Sequence, residues 1–231
     1  MSDIEVFKRQ AAEHALDHVQ SNTRIGLGSG STARHMLHGL AERLADGRLE
    51  NVVGVPTSEA TADLARQLGI PLTTLDDCPE LACTLDGADE IDPQMNLIKG
   101  LGGALLREKI VAASAERFFV LVDSSKLVMQ LGERTGVPIE VIPFAQTLCM
   151  QRLRDLGCQP KLRQNDDGTP FCTDEGNVIL DCRFVKIADP DALNVTIMSI
   201  PGVVDHGLFL GMTTTAFIAG STGITIMTHS K

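Results

Sequence analysis

The chain has 231 residues, 43% of them hydrophobic and 22% charged, with a formal net charge of −10. That length supports one large domain or two small ones around a sizeable core, and so acidic a chain repels the phosphate backbone of nucleic acid while leaving a small anionic substrate open, because a local pocket can still be rich in N–H donors. No apolar run approaches the ~20 residues of a bilayer-spanning helix, and the opening MSDIEVFKRQ lacks the order of a signal segment, so a cytoplasmic protein without membrane contact is expected.

The N-terminus reads as an amphipathic helix. Arg24–Gly28 reads as a strand, followed by a glycine-rich turn and a helix from about Thr32 to Leu44. Val52–Val55 is a second strand, with a helix over about Ser58–Leu68. Short strands are expected at Ile70–Leu75 and Leu81–Leu85, then a helix over about Ala104–Ala115 and a strand at Phe118–Val122. Apolar strands alternating with helices imply βαβ units and a Rossmann-like parallel sheet, an α/β fold. After Gly136 the order changes to strand (Pro138–Ile142), helix (Phe144–Leu156), strand (Gln159–Arg163), turn (Asn165–Gly168), strand (Val178–Lys186), helix (Asp189–Ser199) and strand (Val203–Leu210). This β-α-β-β-α-β order is that of a smaller ferredoxin-like α+β domain. Two strand-like runs between Phe217 and Met227 are placed to rejoin the first sheet. The expected domains are therefore residues 1–133 with 208–231, and residues 134–207.

Four segments carry candidate chemistry. Gly26-Leu27-Gly28-Ser29-Gly30-Ser31-Thr32 joins a strand to a helix. Converging N–H groups, a helix N-terminus and three hydroxyls suit an anion; a plain strand–helix turn with Ser/Thr caps is the other reading. The segment lacks the lysine of a Walker loop. It also lacks the third glycine and distal acid of a dinucleotide fingerprint, having Ser31 and Pro56-Thr57 there. Asp86-Gly87-Ala88-Asp89-Glu90-Ile91-Asp92 places four carboxylates directly after an apolar strand, where open α/β sheets bind ligands. They suit acids, bases, hydroxyl anchors or a hard cation, or form a solvated acidic turn.

Lys99-Gly100-Leu101-Gly102-Gly103 is a second glycine-rich loop entering a helix, with N–H groups suited to an oxyanion. Glu108, just over a turn into that helix, reads on spacing as a surface residue, or as a general base if desolvated. Lys126, in Asp123-Ser124-Ser125-Lys126, is either a phosphate counter-charge or a solvated loop lysine. The pairs His14/His18 and His35/His38 have spacings that can hold a metal, but no third ligand lies nearby in sequence, so they read as helix-surface histidines. The six cysteines form no CxxC and read as reduced, mostly buried thiols. With no Trp or Tyr, a site that stacks sugars or bases on large aromatics is disfavoured.

Taken together, GLGSGST, DGADEID, KGLGGALLREK, VDSSK and PIEVIPFA resemble, in order and spacing, ribose-5-phosphate isomerase of type A. The resemblance runs from the first helix to about Phe209. It implies interconversion of ribose 5-phosphate and ribulose 5-phosphate in the pentose phosphate pathway, no metal or other cofactor, a ferredoxin-like lid domain, and a homodimer or homotetramer. Glu108 is then the base. Asp86 and Asp89 contact sugar hydroxyls and take part in ring opening, with Gly87 and Ala88 between them. Lys99, Gly100, Leu101 and Gly102 lie in the same substrate site, while Ser29, Gly30, Ser31, Thr32 and Lys126 bind substrate. Leu101 stands where the family has glycine, and Gly211–Thr215 departs from the family pattern. Three rivals differ in chemistry. A sugar-phosphate-sensing regulator would carry a DNA-binding module, a CoA transferase would form a glutamyl thioester, and a nucleotide-dependent oxidoreductase needs the fingerprint missing at Gly26–Thr32.

Overall fold

The computed structural model describes residues 3–229. In chain order the elements begin with α1 (Asp3–Leu16), β1 (Arg24–Leu27), α2 (Gly30–Ala45), β2 (Val53–Pro56), α3 (Glu59–Gln67) and β3 (Cys83–Asp86). Next come β4 (Glu90–Ile91), β5 (Leu97–Ile98), α4 (Leu105–Ala113), β6 (Phe118–Asp123), β7 (Val137–Val141), α5 (Gln146–Asp155) and β8 (Gln159–Leu162). The last are β9 (Val178–Arg183), α6 (Pro190–Met198), β10 (Val203–His206), β11 (Leu208–Phe209), β12 (Thr215–Gly220) and β13 (Gly223–Thr228).

The chain divides into two compact units. One takes the chain up to Ala88, Arg107–Lys126 and the segment from Met212 onward; the other takes Asp89–Leu106 and Leu127–Gly211. These divisions differ from the expected boundaries. Residues 89–106, 127–133 and 208–211 go with the second unit, because β4 and β5 pair with each other and with β11.

In the first unit six strands run in the order β13-β12-β6-β3-β1-β2. Every pairing is parallel except the terminal β12–β13 hairpin. The central strands β3 and β6 are buried on both faces, as in a covered parallel sheet: all of Cys83–Asp86 and Phe118–Asp123 is buried. Helix α2 buries Ala33, Met36, Leu37 and Leu40, a stripe at helical spacing. That stripe joins Ala11, Ala12, Ala15 and Leu16 of α1 and Phe119, Leu121 and Phe217 of the sheet in one core. The Phe119 and Phe217 rings meet edge-to-face at 5.6 Å, and His18 lies 5.0 Å from Phe217. The two tail strands thus rejoin the first sheet. The expected strand at Ile70–Leu75 reduces to a single bridge between Leu72 and Gly54. Pro71 has no N–H to continue a ladder, and Gly69 turns the chain with φ +73°.

In the second unit β7, β8, β9 and β10 form an antiparallel sheet in the order β10-β7-β9-β8, the ferredoxin-like arrangement. Alternate residues Val137, Ile139 and Val141 join Val178, Leu180 and Cys182 in a core with Cys149 and Leu153 of α5 and Ile197 of α6. The expected strand Val203–Leu210 breaks at Gly207. A Cβ there would come within 2.1 Å of the Lys99 carbonyl oxygen, so the chain leaves one sheet as β10 and enters the three-stranded β11-β5-β4 sheet. Strand β9 ends at Arg183 rather than Lys186, because its partners run out: Cys182 faces Val137 and Arg183 faces Gln159. All six cysteines are free thiols, four of them buried, while Cys78 is half-buried and Cys172 exposed. Burial pushes the Cys83 thiol up to about 11, which keeps it unreactive near neutral pH.

Glu140, only 1% exposed, lies on the sheet face opposite that core and accepts from the Thr173 hydroxyl at 2.8 Å and the Asn177 amide at 2.9 Å. Burial raises its pKa; these two hydrogen bonds oppose the shift, and like charge from Glu175 and Asp205 adds to it. A carboxyl shifted upward in the fold stabilises fully below the ordinary value of 4.5 and loses that contribution as pH rises through the raised value. Glu140→Gln keeps an acceptor for both donors and has no charge to bury. Its melting temperature should therefore gain on that of the unaltered protein as pH rises over roughly pH 4 to 8. Thermal melts across that range check this; parallel curves would refute it.

Candidate active site

Two glycines open the site in the first unit. Strands β1 and β3 run parallel with Gly26 beside Thr84. A Cβ at Gly26 would lie 2.2 Å from the Thr84 hydroxyl oxygen, and one at Gly28 would lie 2.3 Å from Asp86 Oδ1 and 2.6 Å from its Cα. These glycines make room for β3 side chains, which is a different use from that of a dinucleotide fingerprint. Asp86, at 0% exposure, ends β3 and takes that room. Its Oδ1 accepts from the Ser29 N–H at 3.1 Å and the Gly87 N–H at 2.7 Å.

Ser29 is held in turn by a set of hydroxyls. Its Oγ lies 2.7 Å from Ser58 Oγ, 2.8 Å from Thr57 Oγ1 and 3.1 Å from Thr61 Oγ1. The protons of the neighbours are committed: Thr57 donates to the Leu27 carbonyl and Thr61 to the Gly28 carbonyl, each at 3.0 Å, and Ser58 donates to Thr61 Oγ1. The Ser29 proton therefore points into this set, toward Ser58 Oγ. Ser29 precedes α2 without capping it. The first-turn N–H groups of Gly30, Ser31 and Thr32 have no intrahelical partner by helix geometry. Gly30 and Ser31 are exposed and Thr32 half-buried. That turn can receive an anion.

Glu108 is buried, at 5% exposure, in the first turn of α4. Its spacing from Leu105 and Ala112 places it on the same helix face as those two buried residues. The surface reading of Glu108 is thereby overturned. A carboxylate kept from water is the arrangement that tunes a general base. Lys126 ends the 3-10 turn Ser124–Lys126 after β6 and is half-buried. Asp123 holds this turn by accepting the Ser125 N–H at 2.9 Å.

The four clustered carboxylates divide in their use. Glu90 and Asp92 are spent on backbone. Glu90 accepts N–H groups from Gly132 (2.7 Å), Arg134 (2.7 Å) and Thr135 (2.6 Å) and the Thr135 hydroxyl (3.1 Å). Asp92 Oδ1 accepts from Gln94 and Asn96, both at 2.9 Å. Asp89, half-buried, accepts the Leu101 N–H at 2.9 Å and so joins the acidic segment to the second glycine loop within its unit. Lys99 is 3% exposed, with Nζ 5.6 Å from the centre of the Phe209 ring, a cation–π distance. In the loop that follows, Gly100 is buried, and Leu101 and Gly102 are exposed. Among the described residues no three His, Cys, Asp or Glu side chains gather as a metal set, and no helix is long and apolar enough to cross a membrane.

A family model for ribose 5-phosphate isomerase A (phosphoriboisomerase A) matches residues 53–223. The ribose-5-phosphate isomerase A of Roseiflexus sp. (strain RS-1) is 64% identical over 222 residues, spanning 96% of this chain and 95% of that relative. The chain belongs to the ribose 5-phosphate isomerase A family. It is thus an isomerase. A solved D-ribose-5-phosphate isomerase in complex with phospho-erythronic acid matches with TM-score 0.96 at 38% identity, over 99% of this chain and 100% of the other. The ribose 5-phosphate isomerase from Plasmodium falciparum matches with TM-score 0.95 at 41% identity, again over 99% and 100%.

Within this isomerase fold, residue-by-residue reading missed the Thr57–Ser58–Thr61 hydroxyls. The signal was present, since Ser58 stands before Glu59 as a helix N-cap and accepts the Thr61 N–H at 3.1 Å. It also missed that Glu90 organises a loop more than forty residues away in sequence, for which no local pattern exists. Gly28→Ala tests the close packing on Asp86, because the added Cβ meets a backbone atom that cannot yield. Isomerase turnover should fall by at least about tenfold while circular dichroism keeps the native form. Turnover equal to that of the unaltered protein would show that the placement of Asp86 does not matter.

Proposed function

We propose that this isomerase interconverts ribose 5-phosphate and ribulose 5-phosphate through a cis-enediolate, with Glu108 as the base. The observation that carries this reading is a carboxylate buried on the apolar face of a helix that lies inside the stretch matched by the family model. Once the sugar ring has opened, Glu108 takes the proton from C2. Electrons move into the C1–C2 bond and charge collects on oxygen. Glu108 then returns the proton to C1, while a second proton passes from O2 to O1. No electron is gained or lost overall, and one carboxylate serves as base and then acid.

The other residues take supporting roles. Asp86 and Asp89 act on the sugar hydroxyls in ring opening, with Gly87 and Ala88 as the backbone between them. Lys99 and the N–H groups of Gly100, Leu101 and Gly102 stabilise the enediolate; a single well-placed donor is worth roughly 10²–10³-fold. The phosphate sits on the first turn of α2, through Gly30, Ser31 and Thr32, with Ser29 setting the loop and Lys126 as counter-charge. Phospho-erythronic acid, bound by the related solved isomerase, carries a carboxylate that mimics an enediolate, so it should compete with ribose 5-phosphate here. The same reading places the enzyme in the cytoplasm, as a homodimer or homotetramer, in the non-oxidative branch of the pentose phosphate pathway.

Replacing Glu108 with Gln is the direct test. The variant should bind ribose 5-phosphate in a calorimetric titration yet lose at least about 10²-fold of its ketose formation, assayed with EDTA and without added cofactor. Turnover near that of the unaltered enzyme would remove Glu108 as the base.

A further inference from the structure

The loop after Lys99 is gripped by a residue outside every motif named so far. Arg163 follows β8 directly, and its Nη1 donates to the Gly100 carbonyl at 2.8 Å and to the Leu101 carbonyl at 3.0 Å. The rest of the guanidinium is taken by Asp181 on β9. Nε donates to Oδ2 at 3.0 Å, and Nη2 to Oδ1. A fork paired on two atoms in this way is fixed in orientation. Phe171 closes the arrangement, with its ring centre 5.9 Å from the guanidinium carbon and its edge 2.4 Å from where a Cβ at Gly103 would be.

The consequence follows from peptide geometry. In a trans peptide the C=O and N–H of one plane point in opposite directions. The Gly100 carbonyl shares its plane with the Leu101 N–H, which donates to Asp89 Oδ2 at 2.9 Å. The Leu101 carbonyl shares its plane with the Gly102 N–H. Since both carbonyls turn to the same nitrogen of Arg163, both N–H groups turn away from it. One is taken by Asp89; the other, on exposed Gly102, has no protein acceptor among the described residues.

We propose that Arg163 is a positioning residue for the isomerisation: by holding the Gly100 and Leu101 carbonyls it presents the Gly102 N–H as a donor to the enediolate, on the side of the loop where Asp89 is held. The proposal rests on the enediolate reading of this loop. A residue that only stapled the loop for stability would change melting temperature and leave the chemical step alone.

Arg163→Met keeps the apolar stem and removes the donors, and Arg163→Lys keeps one charged donor without the fork. For Arg163→Met, kcat should fall about 10- to 100-fold while KM for ribose 5-phosphate stays within about threefold. Inhibition by phospho-erythronic acid, whose carboxylate stands in for the enediolate, should weaken by a similar factor. Arg163→Lys should lose less, about three- to tenfold in kcat with KM held; it carries the test by itself if circular dichroism shows that the Met variant does not fold. A kcat within about twofold of the unaltered enzyme in the folded variant, or a rise in KM with kcat preserved, overturns the proposal. Assaying Glu108→Gln alongside separates the two ideas. Normal turnover there removes the base assignment, whereas an inactive Glu108→Gln beside a fully active Arg163→Met removes only the positioning role.

Discussion

Asp86 occupies, at the end of β3, the volume that any side chain at residue 28 would need. Much of the first unit's functional end depends on that exchange of space. A fully buried carboxylate needs donors, and it draws them from Ser29 and Gly87. Ser29 must then turn its N–H inward, which leaves its side chain to the hydroxyls of Thr57, Ser58 and Thr61. With Ser29 committed, α2 begins at Gly30 and leaves its first-turn N–H groups without intrahelical partners. One buried acid thereby fixes both its own position and the path of an anion-suited turn.

The acidic run after β3 shows how similar residues acquire different roles. Glu90 gathers three backbone N–H groups and a hydroxyl from Gly132 to Thr135. Asp92 closes its own turn through Gln94 and Asn96. With those oxygens spent on backbone, Glu90 and Asp92 serve the loops around them. Asp86 and Asp89 also accept backbone N–H groups, but from within glycine-rich loops, Ser29 of the first and Leu101 of the second. The run crosses from one compact unit to the other at Ala88–Asp89, so a segment that looks uniform in sequence serves two frameworks.

The ferredoxin-like sheet contributes more than a scaffold. Its β9 supplies Asp181, and the residue after β8 supplies Arg163, the pair that grips the Gly100–Leu101 segment. At Gly207 the chain passes from this sheet to the short β11, because only glycine tolerates the approach to the Lys99 carbonyl. Lys99 is thus held on its backbone by Gly207, at 2.9 Å, and faces the Phe209 ring with its ammonium.

The sequence by itself determined the alternation of strands and helices, the ferredoxin-like order of the second half and the ordered motifs that mark the family. These follow from local periodicity, turn chemistry and spacing, which act within a few residues. The burial of Glu108 was not legible, since spacing made it a surface residue and only the packed helix face it shares with Leu105 and Ala112 shows otherwise. The tertiary structure alone decided which carboxylates stay near the glycine loops and which are spent on backbone. It decided that Gly26 and Gly28 serve close packing on β3, that Val203–Leu210 splits between two sheets, and that Arg163 holds a loop some sixty residues away. Each of these depends on contacts between segments far apart in the chain, where volume and hydrogen-bond demand are settled by packing and no local propensity can express them.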